Sequence, residues 1–269
     1  MRQICNCKIG FINIKTKIHY SPFIMEVHHH PSVHKKNFKE FFLEFVMIFL
    51  AVSLGFIAEN VRESITHHEQ ETHYVESLIN DLKEDTAGMH RVINENNAKM
   101  DSLVKMAKLA NADFSLPGNR FKLYYGAQMI GNYSLFKAND ATMMQLKTSG
   151  LQLIKKDHAA DSIAKYDVRL KMISATEALY TNATNAALEA AQQLLDLSAS
   201  SNTAYFDTAT GFKNVLLPLL TDNSSGIPRF FNKIYFEIGA TQNYIYNIQR
   251  VLPNAERLIA YLKKEYNIE

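Results

Sequence analysis

The stretch that most constrains this chain is Asn37 to Glu63, NFKEFFLEFVMIFLAVSLGFIAENVRE. From Phe41 to Ala58 Glu44 is the only charge, and after Phe45 the only polar side chain is Ser53. Eighteen helical residues reach about 27 Å, close to the thickness of a bilayer's hydrocarbon core. A core helix of a soluble protein would need a polar face, which this stretch lacks. It reads as one transmembrane helix.

Charge flanking the stretch sets its direction. Residues 1–40 hold seven Lys/Arg against two acids, and residues 59–85 hold two against eight acids. Lys35, Lys36 and Lys39 precede the span and Arg62 stands alone just after it, so the N-terminus is expected inside and the C-terminal part outside. Residues 1–36 lack an apolar run and a small-residue cleavage site, so the span itself would serve as an uncleaved anchor. Cys5 and Cys7 fall on the reducing side, and the exported part contains no cysteine with which to form a disulfide. Expected domains are a cytoplasmic tail 1–36, a transmembrane helix 37–63 and an extracytoplasmic part 64–269. Residues 1–24 show no periodicity, and Met25 offers a second start.

Gly and Pro are sparse (10 and 6 in 269 residues) and there is no Trp, which suits an all-α chain. The span is expected to continue into a long helix. In it Ile79, Thr86, Ile93, Met100 and Ala107 form one heptad row, and Val75, Leu82, Met89, Asn96, Leu103 and Ala110 the other, widened by Leu78, Val92 and Met106. Asn96 interrupts the seam. Ser115 to Asn119 reads as a turn, Arg120 to Met129 as a short helix and Gly131 to Lys137 as a loop. Asn139 or Asp140 is a candidate cap for a helix ending at Gly150, and Asp157 for a long helix to about Leu197. In that helix Ile163, Tyr166, Leu170, Ile173, Tyr180, Ala187 and Leu194 point inward. Ser198 to Lys213 reads as a polar loop, Asn214 to Leu220 as a short helix and Asp222 to Gly226 as a loop.

Pro228 suits the first turn of a last helix with Ile234, Ile238, Thr241, Ile245, Ile248, Leu252, Ala255, Ile259, Leu262 and Tyr266 as its seam. Pro253 predicts a kink or short break there. The expected architecture is an antiparallel bundle of long helices behind a membrane anchor.

Three stretches carry a resemblance: VHHHPSVHKKNFKEFFLEFVMIFLAVSLGFIAENVRE, QLKTSGLQLIKKDHAADSIAKYD and the terminal LIAYLKKEYNIE. They resemble an uncharacterised family of small single-pass membrane proteins of Bacteroidota. The resemblance implies a bacterial inner-membrane location, with the C-terminal part periplasmic, and supplies no activity. Residues 1–24 lie outside it.

The candidate sites are few. His28, His29, His30 and His34 have no Cys or acidic co-ligand nearby and read as a basic collar rather than a metal centre. His68 and His73 resemble a zinc-protease pair, but five residues place them about 140° apart on a helix, so they cannot share an ion as i,i+4 histidines do. No phosphate loop or nucleophile elbow is present, so neither catalytic residues nor a cofactor are expected, and nucleic acid is not an expected partner. The tyrosines Tyr235, Tyr244, Tyr246 and Tyr261 read as packing. Within the span, Glu40, Glu44, Ala51, Gly55, Ala58 and Arg62 share a stripe about 60° wide. Ala51-x-x-x-Gly55 allows close helix approach, which makes Glu44, Ala51, Gly55 and Ala58 the candidate helix-packing face in the membrane. A membrane-anchored scaffold or interaction protein is expected, as a homo-oligomer or bound to another membrane protein. An extracytoplasmic ligand sensor and a pore subunit lined by Glu44 are the alternatives. The mass and composition of the detergent-extracted complex would separate them.

Overall fold

The computed structural model describes residues 37–149, 151–220 and 225–269. The tail, with Cys5, Cys7, the histidines from His28 to His34, Lys35 and Lys36, lies outside the described residues, as do Gly150 and residues 221–224. The protein is mostly helical. Its helices are α1 (Phe38–Ala107), α2 (Pro117–Gln128), α3 (Ala141–Thr148), α4 (Asp157–Leu194) and α5 (Gly226–Tyr266). A 3-10 turn (Leu197–Ser201) precedes a two-residue hairpin, in which β1 (Phe206–Asp207) pairs antiparallel with β2 (Gly211–Phe212). The chain divides into two compact units, one ending at Glu59 and the other covering Asn60–Glu269.

In the first unit α1 carries the apolar stretch. It is long and apolar enough to cross a membrane, and none of its most apolar window is buried.

In the second unit, α1, α4 and α5 share one core that includes Val75, Leu82, Met89, Ile163, Tyr180, Tyr244, Ile248 and Leu262. Side-chain contacts give their directions. Asp85 meets Tyr166 and Asn96 meets Tyr180, so α1 and α4 run parallel. Glu71 meets Tyr266 and Lys99 meets Glu237, so α5 runs antiparallel to α1. The expected alternation of long helices is corrected accordingly. Residues 129–149 and 151–156 return the chain along α1 between Met106 and Glu71, without regular structure except for α3. A second core gathers Leu103, Met106, Leu123, Tyr124, Leu194, Phe230 and Phe231 where α1, α2, α4 and α5 meet.

In α1 the expected row Val75, Leu82, Met89, Asn96 and Leu103 is buried throughout, and Ile79, Ile93 and Ala107 of the other row are buried as well, but that second row centres one residue earlier. The unbroken buried seam of α1 is Glu71, Val75, Leu78, Leu82, Asp85, Met89, Val92, Asn96, Lys99, Leu103 and Met106, at alternating spacings of four and three. Thr86 and Met100, from the expected row, are only partly buried. In α5 the inner partners of Ile234, Thr241, Ile248, Ala255 and Leu262 are Glu237, Tyr244, Val251 and Leu258. Ile238 and Ile259 lie one position off, partly buried. Of the tyrosines read as packing, only Tyr244 is buried; Tyr235 and Tyr246 are exposed.

Several boundaries move for identifiable reasons. Helix α2 begins at Pro117, within the expected turn, because proline at the first helical position has no N–H to leave unsatisfied. Residues 214–220 form no helix: Leu219 bridges Leu195, and the carbonyls of Leu217 and Pro218 accept from Arg120 and Tyr124. Pro218 disfavours helical backbone at Leu217, which leaves that carbonyl free for α2. Helix α5 passes Pro253 without a break. Burial of Val251, Leu252 and Ala255 around it outweighs a proline penalty of about 3 kcal/mol.

Candidate functional site

The apolar stretch carries its candidate residues on α1, where no described residue buries them. Glu44, Ala51, Gly55 and Ala58 are exposed, as are Phe42, Phe45, Phe49 and Phe56. A side-chain carbon built on Gly55 would meet nothing within 4 Å, so this backbone is open to close approach by another helix. His67 lies 3.4 Å from Glu63, and His68 and His73 are exposed. Among the described residues no group of three or more His, Cys, Asp or Glu is placed to hold a metal ion.

The buried polar row of α1 is the other candidate, and the sequence reading missed it. Glu71, Asp85 and Lys99 recur every fourteen residues in one heptad row with Leu78, Val92 and Met106. Each meets a different part of the fold. Glu71 Oε1 accepts from the backbone N–H groups of Lys155 (2.9 Å) and Lys156 (3.4 Å) and from the Tyr266 hydroxyl (2.5 Å). Lys156 then reaches Glu265 and lies 4.3 Å from the centre of the Tyr266 ring. Asp157, expected as the cap of α4, sits instead in its first turn, with Lys156 at the cap position. Its charge there is favourable to the helix dipole.

Asp85 Oδ1 accepts from the Asn139 N–H at 2.7 Å and its Oδ2 from the Tyr166 hydroxyl at 3.2 Å. One turn earlier, Asp81 accepts from the Thr142 N–H at 3.1 Å. Asp140 occupies the cap position of α3, but its side chain makes no cap hydrogen bond; Asp81 of α1 supplies that acceptor. Asn96 donates to the Ser134 carbonyl and accepts from the Ser134 N–H, as a strand neighbour would. These contacts have one cause. Outside α3 the return segment has no regular backbone pairing, and the first N–H groups of α3 have no partner within the helix, so these buried groups need acceptors, which the polar residues of α1 provide. Burial pushes the Asp85 carboxyl up to about 6, and the Asn139 N–H and Tyr166 hydroxyl offset part of that shift.

Lys99 and Glu237 form the third contact, with Nζ 2.6 Å from Oε1 and both side chains sealed from solvent. The ammonium also donates to Thr184 Oγ1 at 3.2 Å and lies 4.9 Å from the centre of the Tyr180 ring. Tyr180 stacks on Tyr244 with centroids 4.8 Å apart and donates to Asn96 Oδ1. Burial lowers the Lys99 pKa and raises that of Glu237, each offset in part by the other's charge. The pair holds α1 to α5 at one register, because a one-turn slip would leave two buried charges alone. The fourteen-residue recurrence was visible in the sequence; the burial that makes it matter was not.

Comparison with known protein-family models, with curated proteins and with solved structures finds no match to this chain.

Proposed function

We propose that the chain is a membrane-anchored helical scaffold or interaction protein of a bacterial inner membrane. A single span would carry a cytoplasmic N-terminus on one side and a periplasmic helical bundle on the other. The observation that carries this reading is the wholly exposed apolar window of α1. A stretch of large side chains such as Phe42, Phe45, Ile48, Phe49 and Ile57 left open is far larger than a soluble surface tolerates, and lipid would cover it. Lys35, Lys36 and Lys39 before the span support the direction. Glu44, Ala51, Gly55 and Ala58 would form the contact to a second span, from another copy or from a partner membrane protein.

A reporter active only outside the cytoplasm, fused after Glu269, should work, and the protein should stay with membranes after a carbonate wash. Activity of a cytoplasm-only reporter at the same position, or release by the wash, would overturn the reading.

A further inference from the structure

We propose that the groove between α4 and α5 around Arg169 and Arg257 binds the dianion of a small phosphate monoester. Arg169 Nη1 and Arg257 Nη2 both donate to one acceptor, the amide oxygen of Asn254, the second at 2.8 Å. Arg257 is fixed further by its Nε, which donates to the Pro253 carbonyl at 3.1 Å. Two guanidinium groups are thus drawn together by a neutral oxygen, which orients them without cancelling their charge. Lys165 and the hydroxyl-bearing Ser162 line the same groove, of about 240 Å³, and no carboxylate lines it.

The nearby acids are directed elsewhere. Asp167 pairs with Lys147 and Lys171, Glu256 faces His90 at 3.8 Å, and Glu265 pairs with Lys156. Asp161 borders the adjoining groove, which it shares with Lys165. Arg169 and Arg257, drawn to one neutral oxygen with Lys165 lining the same groove, repel each other, and an anion there removes the repulsion. A monoester dianion suits the donor set better than a carboxylate does. It has three terminal oxygens and two charges for two planar forks and an ammonium, whereas a carboxylate has two oxygens and one charge. The Tyr261 ring and Leu258 form an apolar wall beside the cations, which would take the ester's organic group.

The same chemistry is offered by a soluble phosphomonoester and by the headgroup of phosphatidic acid. The test is calorimetric titration of the full chain in nonionic detergent with glycerol 3-phosphate, and with phosphatidic acid added to the micelles. Saturable binding of either is expected, falling about tenfold or more in Arg169→Gln and in Arg257→Gln. Arg169→Lys, which keeps the charge and loses the fork, should fall in between. Lys171→Gln, outside the groove, should bind as the parent does. Circular dichroism should show unchanged helix content in all variants, since these side chains are exposed. Binding of glycerol 3-phosphate assigns the soluble ligand, and binding of phosphatidic acid alone assigns the lipid. The proposal is overturned if neither ligand saturates, if acetate binds equally well, or if the arginine variants bind like the parent.

Discussion

Gly55 and Gly126 both sit within helices, and their surroundings are opposite. A side-chain carbon on Gly55 would meet open space, whereas one on Gly126 would lie 2.8–2.9 Å from Met106. Around Gly55 every apolar residue is left uncovered; around Gly126, Leu123, Tyr124, Leu103 and Met106 are buried. Helix α1 runs through both kinds of environment. Up to Ile57 it buries none of its apolar side chains, and from Glu71 its buried seam takes in even the charged Glu71, Asp85 and Lys99. Apolar residues therefore mark the core only where other parts of the chain exist to cover them. The buried charges of α1 mark where its neighbours have backbone or ionic groups that need a partner.

The largest effect should come from breaking the buried pair. Lys99→Met leaves Glu237 sealed and uncompensated, and should cost about 3–5 kcal/mol in denaturant unfolding of the full chain in detergent. The double variant Lys99→Met/Glu237→Leu should regain most of that loss. A double variant no more stable than Lys99→Met would mean that the contact of the ammonium with the Tyr180 ring, rather than the ion pair, sets the stability.

The two glycines allow the contrast to be tested directly. Gly126→Val should destabilise by about 1–3 kcal/mol, because Met106 Cβ as well as its sulfur blocks the new side chain. Gly55→Val should leave unfolding of the packed region within about 0.5 kcal/mol of the parent. Comparable losses at both sites would show that the span is packed after all.

Association within the span is the next effect in size. Gly55→Ile should reduce crosslinking yield in membranes by roughly the several-fold expected when a small-residue contact is blocked. Leu54→Ile, about 100° away around the helix, should not. Equal yields would make the stripe through Glu44, Ala51 and Gly55 coincidental.

The smallest effect is the pH dependence of Asp85. Its carboxyl titrates near 6 when folded, above its ordinary 3.8, so between those values the folded chain holds the extra proton. The stability this group adds is full below about pH 4 and is lost as pH rises through about 6. Asp85→Asn keeps an acceptor for the Asn139 N–H and should flatten the slope of the denaturant midpoint over that window. An unchanged slope would assign it to other carboxylates.

Much of the helical framework was legible from periodicity and from proline and glycine placement, because long 3.6-residue patterns report directly on local backbone. The apolar span was legible for a simpler reason: its composition admits no aqueous face. The register of the inner seams was not. Reading hydrophobicity alone found Ile79 and Ile93, which are buried, but passed over Asp85, Lys99 and Glu237, since a charge inside a helix pattern is ordinarily a sign of solvent. The return segment overrides that rule, because the N–H groups of Asn139, Thr142 and Lys155 need acceptors that apolar side chains of α1 cannot supply.

The same holds for residues 214–220, where carbonyls taken up by Arg120 and Tyr124 exclude the helix their apolar composition suggested. Sequence by itself determined the long helices and which one carries the longest apolar stretch, since both follow from neighbours along the chain. The core face of α4 was also legible, since Ile163, Tyr166, Ile173, Tyr180, Ala187 and Leu194 are buried as expected. Tertiary structure alone decided which charged residues join the core faces. Those depend on hydrogen-bond partners that lie 54 to 195 residues away in sequence.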